Sequence, residues 1–141
     1  MNTGPDILVI DDDRDLVNSI KIILESQNYN VRTAYNGQDG FTLIEETVPD
    51  VLILDVMMTT DTEGFDLAYK LSRNPKYSNI PILMITGFSQ KMTELGPESF
   101  QHILGENWPV AQLLEKPVDP EKLLIEVQAL LRPEAGYGRR S

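Results

Sequence analysis

The sequence predicts an α/β fold, a doubly wound five-stranded parallel sheet with strand order 2-1-3-4-5 and helices on both faces. Short runs of Ile, Leu and Val alternate along the chain with segments whose apolar residues recur at helical spacing. This alternation favours a parallel sheet, because each helix returns the chain to the same edge. The runs at 7–10 and 51–54 are uninterrupted, as expected for strands that are buried on both faces.

The first strand is predicted at 7–10, and a helix follows it. The apolar stripe of that helix consists of Leu16, Ile20, Ile23 and Leu24. Asp12 or Asp13 is placed to cap its first turn. The alternating segment at 30–35 predicts the second strand.

The middle of the chain repeats the pattern. The segment 36–47 predicts a short helix with Phe41 and Ile44 on one face, and 50–55 predicts the third strand, which ends in a carboxylate. A helix is predicted at 64–74. Its helically spaced apolar residues are Phe65, Ala68 and Leu71.

The last third predicts strands at 80–86 and 110–116, with two short helical turns in the segment 87–109 between them. The final helix is predicted at 119–132, capped by Asp119. Its apolar stripe consists of Leu123, Val127, Leu130 and Leu131. These elements predict one domain at 6–132.

Composition narrows the function classes. The chain has 141 residues, a formal charge of −10 and no cysteine, which fits a cytoplasmic protein without disulfides or thiolate metal sites. The negative charge argues against nucleic acid as a direct partner. No apolar run reaches the roughly 20 residues of a membrane helix. Residues 1–5 are expected to be an extension and 133–141 a disordered tail.

Polar residues follow the predicted strands at one edge of the sheet. Asp11 and Asp12 end strand 1, Asp55 ends strand 3, Thr86 ends strand 4 and Lys116 ends strand 5. Converging carboxylates require a cation, and an oxygen-only ligand set favours Mg²⁺. Magnesium, a lysine and a hydroxyl are also suited to phosphoryl transfer, in which Asp55 is the best placed nucleophile.

The motifs "ILVIDDD", "DVLILDVMM", "PILMITG" and "EKP", in this order, resemble the receiver domain of bacterial two-component response regulators. The resemblance covers about residues 6–132 and implies a flavodoxin-like (βα)₅ fold. It implies that Asp55 is the phosphoacceptor, that Asp12 ligates Mg²⁺ directly, and that Asp11 often acts through water. Met57 matches the position whose backbone carbonyl ligates the metal.

The same resemblance assigns Thr86 to the hydroxyl that moves onto the phosphoryl group and Lys116 to the lysine that pairs with it. A receiver of this kind is not an enzyme beyond its own phosphorylation and slow dephosphorylation. It accepts phosphoryl from a histidine kinase or phosphotransfer protein. We expect a stand-alone receiver, monomeric or a phosphorylation-dependent dimer. It would signal to a protein target through the fourth helical region, the fifth strand and the last helix.

The chain departs from the family pattern in four places. The usual Met-Pro after the acceptor is absent, because Met58 is followed by Thr59, and the interval from Thr86 to Lys116 is longer than is typical. Leu113 replaces an aromatic switch residue. Met57 and Phe88, two residues past the acceptor and the threonine, lead to the hypothesis that bulky apolar groups slow phosphoryl hydrolysis.

Three alternatives share parts of this pattern. A haloacid-dehalogenase-type phosphatase also uses Mg²⁺ and an Asp nucleophile, which would be Asp11, but Asp15 stands where its Thr or Val belongs. A degenerate receiver would act by docking alone. A flavin-binding domain is disfavoured because an acidic first loop repels the flavin phosphate.

Overall fold

The computed structural model describes residues 4–55, 63–86, 112–115 and 117–131. The strands are β1 (Asp6–Ile10), β2 (Asn30–Ala34), β3 (Val51–Asp55), β4 (Ile82–Thr86) and β5 (Gln112–Glu115). The helices in these ranges are α1 (Arg14–Glu25), α2 (Gly37–Glu46), α3 (Glu63–Ser72) and α4 (Pro120–Leu131). The predicted helical turns at 87–109, residues 1–3 of the predicted extension and the predicted tail at 133–141 lie outside the described residues.

The five strands form one sheet in the order β2-β1-β3-β4-β5. All four neighbouring pairs are parallel. The predicted fold class and strand order are therefore confirmed. The order reverses between β1 and β3, which places a crevice at their carboxyl ends.

Two hydrophobic cores cover the two faces of the sheet, because successive side chains of a strand point to opposite faces. On β1, Leu8 and Ile10 belong to the core that includes buried residues of α2 and α3. Ile7 and Val9 belong to the opposite core, which includes buried residues of α1 and α4. All four side chains are fully buried. The apolar runs in the sequence thus correspond to strands covered on both sides.

Element boundaries differ slightly from the predicted ones. Strand β4 begins at Ile82 rather than at 80, and Pro81 precedes it. Proline has no N–H to donate to a sheet, but the carbonyl of Pro81 still accepts from the backbone N–H of Leu52 at 3.0 Å. In α1 the buried stripe includes Val17, while Leu16 packs only partly buried against the core.

Helix α2 lies very close to the first strand at Gly40. A Cβ atom at this position would lie 2.9 Å from Cγ1 of Ile10 and would also collide with its Cδ1. A real side chain at residue 40 therefore requires Ile10 to move inside a close-packed core. Glycine at this position lets the helix approach the sheet.

Arg32 ties the end of α2 to the start of β1. Its Nε and Nη2 donate to the two carboxylate oxygens of Asp6 at 3.1 and 2.6 Å. The same guanidinium donates to the carbonyls of Leu43 and Thr47 at 2.9 and 2.8 Å. The carbonyl of Leu43 also accepts from the backbone N–H of Thr47 at 3.1 Å, so the arginine adds a second donor to it. The guanidinium thus combines a charged pair with two hydrogen bonds to carbonyls at the end of α2.

Candidate metal centre

Asp11 is held in place by the end of the first strand. Its backbone N–H donates to the carbonyl of Ala34 at 3.2 Å, which ties it to the end of β2. Its Oδ1 accepts a hydrogen bond from the N–H of Asp13 at 2.9 Å. The side chain is about 1% exposed. Both backbone and carboxylate are therefore fixed in direction.

The next two acidic residues have different roles. Asp13 is the N-cap of α1, and its Oδ1 accepts from the N–H of Leu16 at 3.2 Å. This settles which of the two candidate residues caps the helix. Asp12 is exposed. Asp13 caps the helix, and its negative charge is stabilised by the field of the helix N-terminus. These two effects explain an acid at this position without any ligand.

Asp55 ends the central strand β3, opposite Ile85 of β4 in the parallel register. It is about 1% exposed, like Asp11, and these two are the buried charged residues in the described part of the chain. One carboxylate oxygen from each of Asp11, Asp12 and Asp55 lies within 4.8 Å of the other two. The structure thus brings together the three carboxylates that the sequence singled out.

This donor set fits a hard divalent cation. The Oδ2 atoms of Asp11 and Asp55 are both shielded from solvent, where water does not screen their mutual repulsion. Mg²⁺ prefers oxygen ligands, uses few carboxylates and keeps several waters, and exposed Asp12 borders solvent that can supply them. Asp11, Asp12 and Asp55 would therefore hold the ion.

The remaining predicted site residues are described only in part. Thr86 ends β4, the strand next to β3, and its backbone pairs with that of Glu115 on β5. Both Thr86 and Asp55 thus stand at the carboxyl edge of the sheet. Met57 and Lys116 lie outside the described residues, and their predicted roles remain predictions.

The sequence did not single out Arg14, which begins α1 directly after the acidic triplet. Its guanidinium carbon lies 4.0 Å from the ring centroid of Tyr35, just beyond the end of β2. A cation stacked on an aromatic ring is held at moderate strength. This contact joins residues far apart in sequence, so no local pattern could have indicated it.

The family model of the response regulator receiver domain matches residues 7–128. The chain belongs to this family. The resemblance recognised from the four motifs is confirmed, and the chain is a signalling domain of two-component response regulators. The family that matches is a signalling domain, and this match gives no support to the phosphatase alternative.

Curated relatives carry the same domain within longer chains. The chain is 34% identical over 128 residues to the DNA-binding dual master transcriptional regulator RpaA of Synechocystis sp., covering 91% of this chain and 49% of that protein. It is 29% identical over 126 residues to the response regulator ArlR of Staphylococcus aureus, covering 89% of this chain and 52% of that protein. The chain thus spans about half the length of the curated relatives it matches.

Solved structures of receivers superpose along nearly the whole chain. The chemotaxis response regulator CheY4 of Vibrio cholerae is 30% identical with a TM-score of 0.76, covering 92% of this chain and all of that chain. A CheY-like receiver domain protein from Methanospirillum hungatei is 26% identical with a TM-score of 0.76, covering 96% of this chain. None of the helices in the described ranges combines the length and apolarity that crossing a bilayer requires.

Proposed function

We propose that this receiver accepts a phosphoryl group on Asp55, with Mg²⁺ held by Asp11, Asp12, Asp55 and the backbone carbonyl of Met57. The observation that carries the proposal is the convergence of three carboxylate oxygens within 4.8 Å, two of them on side chains that are about 1% exposed. Burial of like charges is costly unless a cation compensates it. Membership in the receiver family supports the proposal, since the resemblance of the motifs implies this ligand set.

The reaction is the transfer of a phosphoryl group between two nucleophiles. A carboxylate oxygen of Asp55 forms a bond to phosphorus while the bond between phosphorus and the donor breaks, which is the P–N bond of a phosphohistidine or the P–O bond of acetyl phosphate. A bound Mg²⁺ would neutralise charge on the transferring oxygens. Asp11, fixed by its bonds to Ala34 and Asp13, keeps the ligand geometry in place.

Thr86 and Lys116 are proposed to contact the phosphoryl group once it is attached. Phosphorylation replaces one negative charge by roughly two, which attracts a lysine ammonium and a hydroxyl donor. Movement of Thr86 would be transmitted to β5, because the two backbones are paired in the sheet. Coupling of about 1–3 kcal/mol is enough to shift an equilibrium between two existing conformations.

The partners follow from this chemistry. The phosphodonor would be a histidine kinase or a phosphotransfer protein. The reader would be a protein target that binds around β5 and α4, or a second phosphorylated copy. The curated relatives include a DNA-binding regulator about twice as long. The proposal concerns the receiver alone, at residues 6–132.

Labelling with acetyl phosphate tests the proposal. Wild type with Mg²⁺ should gain the mass of one phosphoryl group, and chelation of the metal or the change Asp55→Asn should abolish the gain. Asp15→Asn is the matched control, because Asp15 is an exposed acid in the first turn of α1 outside the cluster. Borohydride reduction of the acyl phosphate, followed by peptide mapping, identifies the labelled residue.

Each outcome decides between named alternatives. Label on Asp11 would favour the phosphatase-type chemistry. Complete failure of the wild type to label would favour a receiver that acts by docking alone. Labelling that persists in Asp55→Asn, or that does not depend on Mg²⁺, would refute the assignment of acceptor or metal.

A further inference from the structure

A basic, aromatic stretch stands out in this acidic chain. The segment 69–77, "YKLSRNPKY", contains three cations, two tyrosines and no acid. The whole chain has 22 acidic and 12 basic residues, so a segment of this length without an acid and with three cations opposes the overall composition. It covers the end of α3 and the turn that leads to β4.

Side-chain contacts join three residues of this segment, Lys70, Lys76 and Tyr77, into one surface with Phe41 of α2. The Nζ of Lys70 lies 4.0 Å from the ring centroid of Phe41. The Phe41 ring meets the Tyr77 ring edge-on at 5.8 Å, and the Nζ of Lys76 lies 5.7 Å from the Tyr77 centroid. Lys70 and Lys76 are exposed, whereas Tyr77 is buried beneath them.

A second cation–ring pair lies at the C-terminal end of α3. The guanidinium carbon of Arg73 lies 5.9 Å from the ring centroid of Tyr69, and the Tyr69 side chain is 54% exposed. Tyr69 directly precedes Lys70 on α3. We call the six residues the cation–aromatic ridge. They are Phe41, Tyr69, Lys70, Arg73, Lys76 and Tyr77.

No ion pair within 4.0 Å joins a cation of the ridge to a carboxylate among the described residues, although Asp66 lines the same hollow as Phe41 and Lys70. The ion pairs between described residues join Lys21 to Glu25 and Arg32 to Asp6. The field of a helix C-terminus accounts for Lys70, which is in the last turn of α3. It does not account for Lys76, which lies past the end of the helix at Ser72.

We propose that the cation–aromatic ridge is a docking surface for a short acidic segment of a partner protein that also carries apolar side chains. Carboxylates of the segment would bind Lys70, Arg73 and Lys76, and the fork of Arg73 can hold one in two parallel hydrogen bonds. An apolar side chain would cover the exposed ring of Tyr69. The surface is built from α2, α3 and the following turn, so this proposal does not depend on phosphorylation of Asp55.

The charge of the ridge and of the whole chain favours an acidic peptide over nucleic acid as the partner. Duplex DNA carries a charge about every 1.7 Å and gains affinity by contacts with many phosphates. Three cations are too few for this, and the net charge of −10 would repel the flanking phosphates. A short acidic peptide can place its few carboxylates on the ridge alone.

The test uses fluorescence anisotropy of a labelled peptide of alternating Asp and Leu, titrated with the full chain. The double variant Arg73→Gln/Lys76→Gln should weaken binding roughly tenfold, since two exposed charge pairs are lost. The double variant Lys21→Gln/Lys122→Gln makes the same change in net charge on α1 and α4. It should alter the affinity less than twofold.

Two further measurements keep the result specific. Tyr69→Ala should weaken peptide binding and Tyr69→Phe should not, because the ring face is what the apolar side chain covers. Every variant should have the same midpoint of thermal unfolding as the wild type, which would show that its fold is intact. Labelling by acetyl phosphate is measured in parallel and should be unchanged in all of them, which separates this proposal from the one on Asp55.

Three results of the binding experiment would contradict the proposed docking surface. The proposal is overturned if the wild type does not bind the peptide, or if both double variants lose equal affinity, since binding would then reflect net charge alone. A labelled single-stranded oligonucleotide that binds more tightly than the peptide and needs Arg73 and Lys76 would overturn the assignment of a protein partner.

Discussion

Replacing Asp11 with Asn should stabilise the protein in the absence of Mg²⁺ and reduce the stabilisation that Mg²⁺ provides. Asparagine keeps an acceptor oxygen for the N–H of Asp13, which Asp11 Oδ1 now accepts at 2.9 Å. It keeps the side-chain volume as well, so the buried site is not reshaped. What it removes is one negative charge next to buried Asp55.

The size of the effect follows from Coulomb's law. Asp11 and Asp55 are both about 1% exposed, and their clustered oxygens are at most 4.8 Å apart. At that separation two like charges repel by about 3.5 kcal/mol with an effective dielectric constant of about 20. Loss of other favourable contacts of the carboxylate offsets part of this, so we expect Asp11→Asn to gain about 1–2 kcal/mol without metal. Asp12 contributes less to this repulsion, because it is exposed and its charge is screened by water.

Saturating Mg²⁺ should make the wild type more stable than Asp11→Asn. A ligand that binds only the folded state stabilises it by about 2.7 kcal/mol at a hundred times its dissociation constant. Wild type should gain this amount, whereas Asp11→Asn, with one ligand fewer, should gain much less. Urea unfolding followed by circular dichroism, in EDTA and in MgCl₂, measures all four free energies.

Asp13→Asn serves as the matched control, because Asn caps a helix as well as Asp and residue 13 lies outside the cluster. Its response to Mg²⁺ should equal that of the wild type. If Asp11→Asn is less stable than the wild type in EDTA, the repulsion argument is wrong. If Mg²⁺ leaves the wild type unchanged, the metal centre itself is refuted.

Two further predictions concern the fold that holds the site. Gly40→Ala should lower the free energy of unfolding by about 1–2 kcal/mol, because overpacking against Ile10 outweighs the better helix propensity of alanine. Adding Ile10→Val, which removes Cδ1, should restore part of the lost stability in urea unfolding. An unchanged unfolding midpoint for Gly40→Ala would contradict the steric argument. Arg32→Met should lower the free energy of unfolding by about 2–3 kcal/mol, since it removes the charged partner of Asp6 and one donor each from the carbonyls of Leu43 and Thr47. A double-mutant cycle with Asp6→Asn measures the coupling, and additive effects would show that the pair does not interact.

The sequence predicted the sheet correctly because its signal is local. Apolar runs such as 7–10 and 51–54 are buried on both faces, and the β1–β3 register follows from pairing them. Boundaries were less accurate, as at Pro81, because the end of a strand depends on which backbone groups find a partner. The strand-end rule also singled out Asp11, Asp12 and Asp55, since parallel strands end at one edge.

Other features were decided only by the tertiary structure. The sequence left Asp12 and Asp13 equal as caps, and only the hydrogen bond to Leu16 separates a structural acid from a candidate ligand. The stacking of Lys70 on Phe41, and of Arg14 on Tyr35, joins residues on different elements whose meeting no periodicity encodes.

By itself, then, the sequence determined the order of the elements and which residues end the strands, because both depend on patterns within a few neighbouring positions. The tertiary structure decided which charges are buried together and which remain on the surface. Asp55 is an ordinary strand-end acid until the fold places it within 4.8 Å of two other carboxylates. The electrostatic energy that gives the site its affinity for a cation depends on that distance and on the exclusion of water, and folding fixes both.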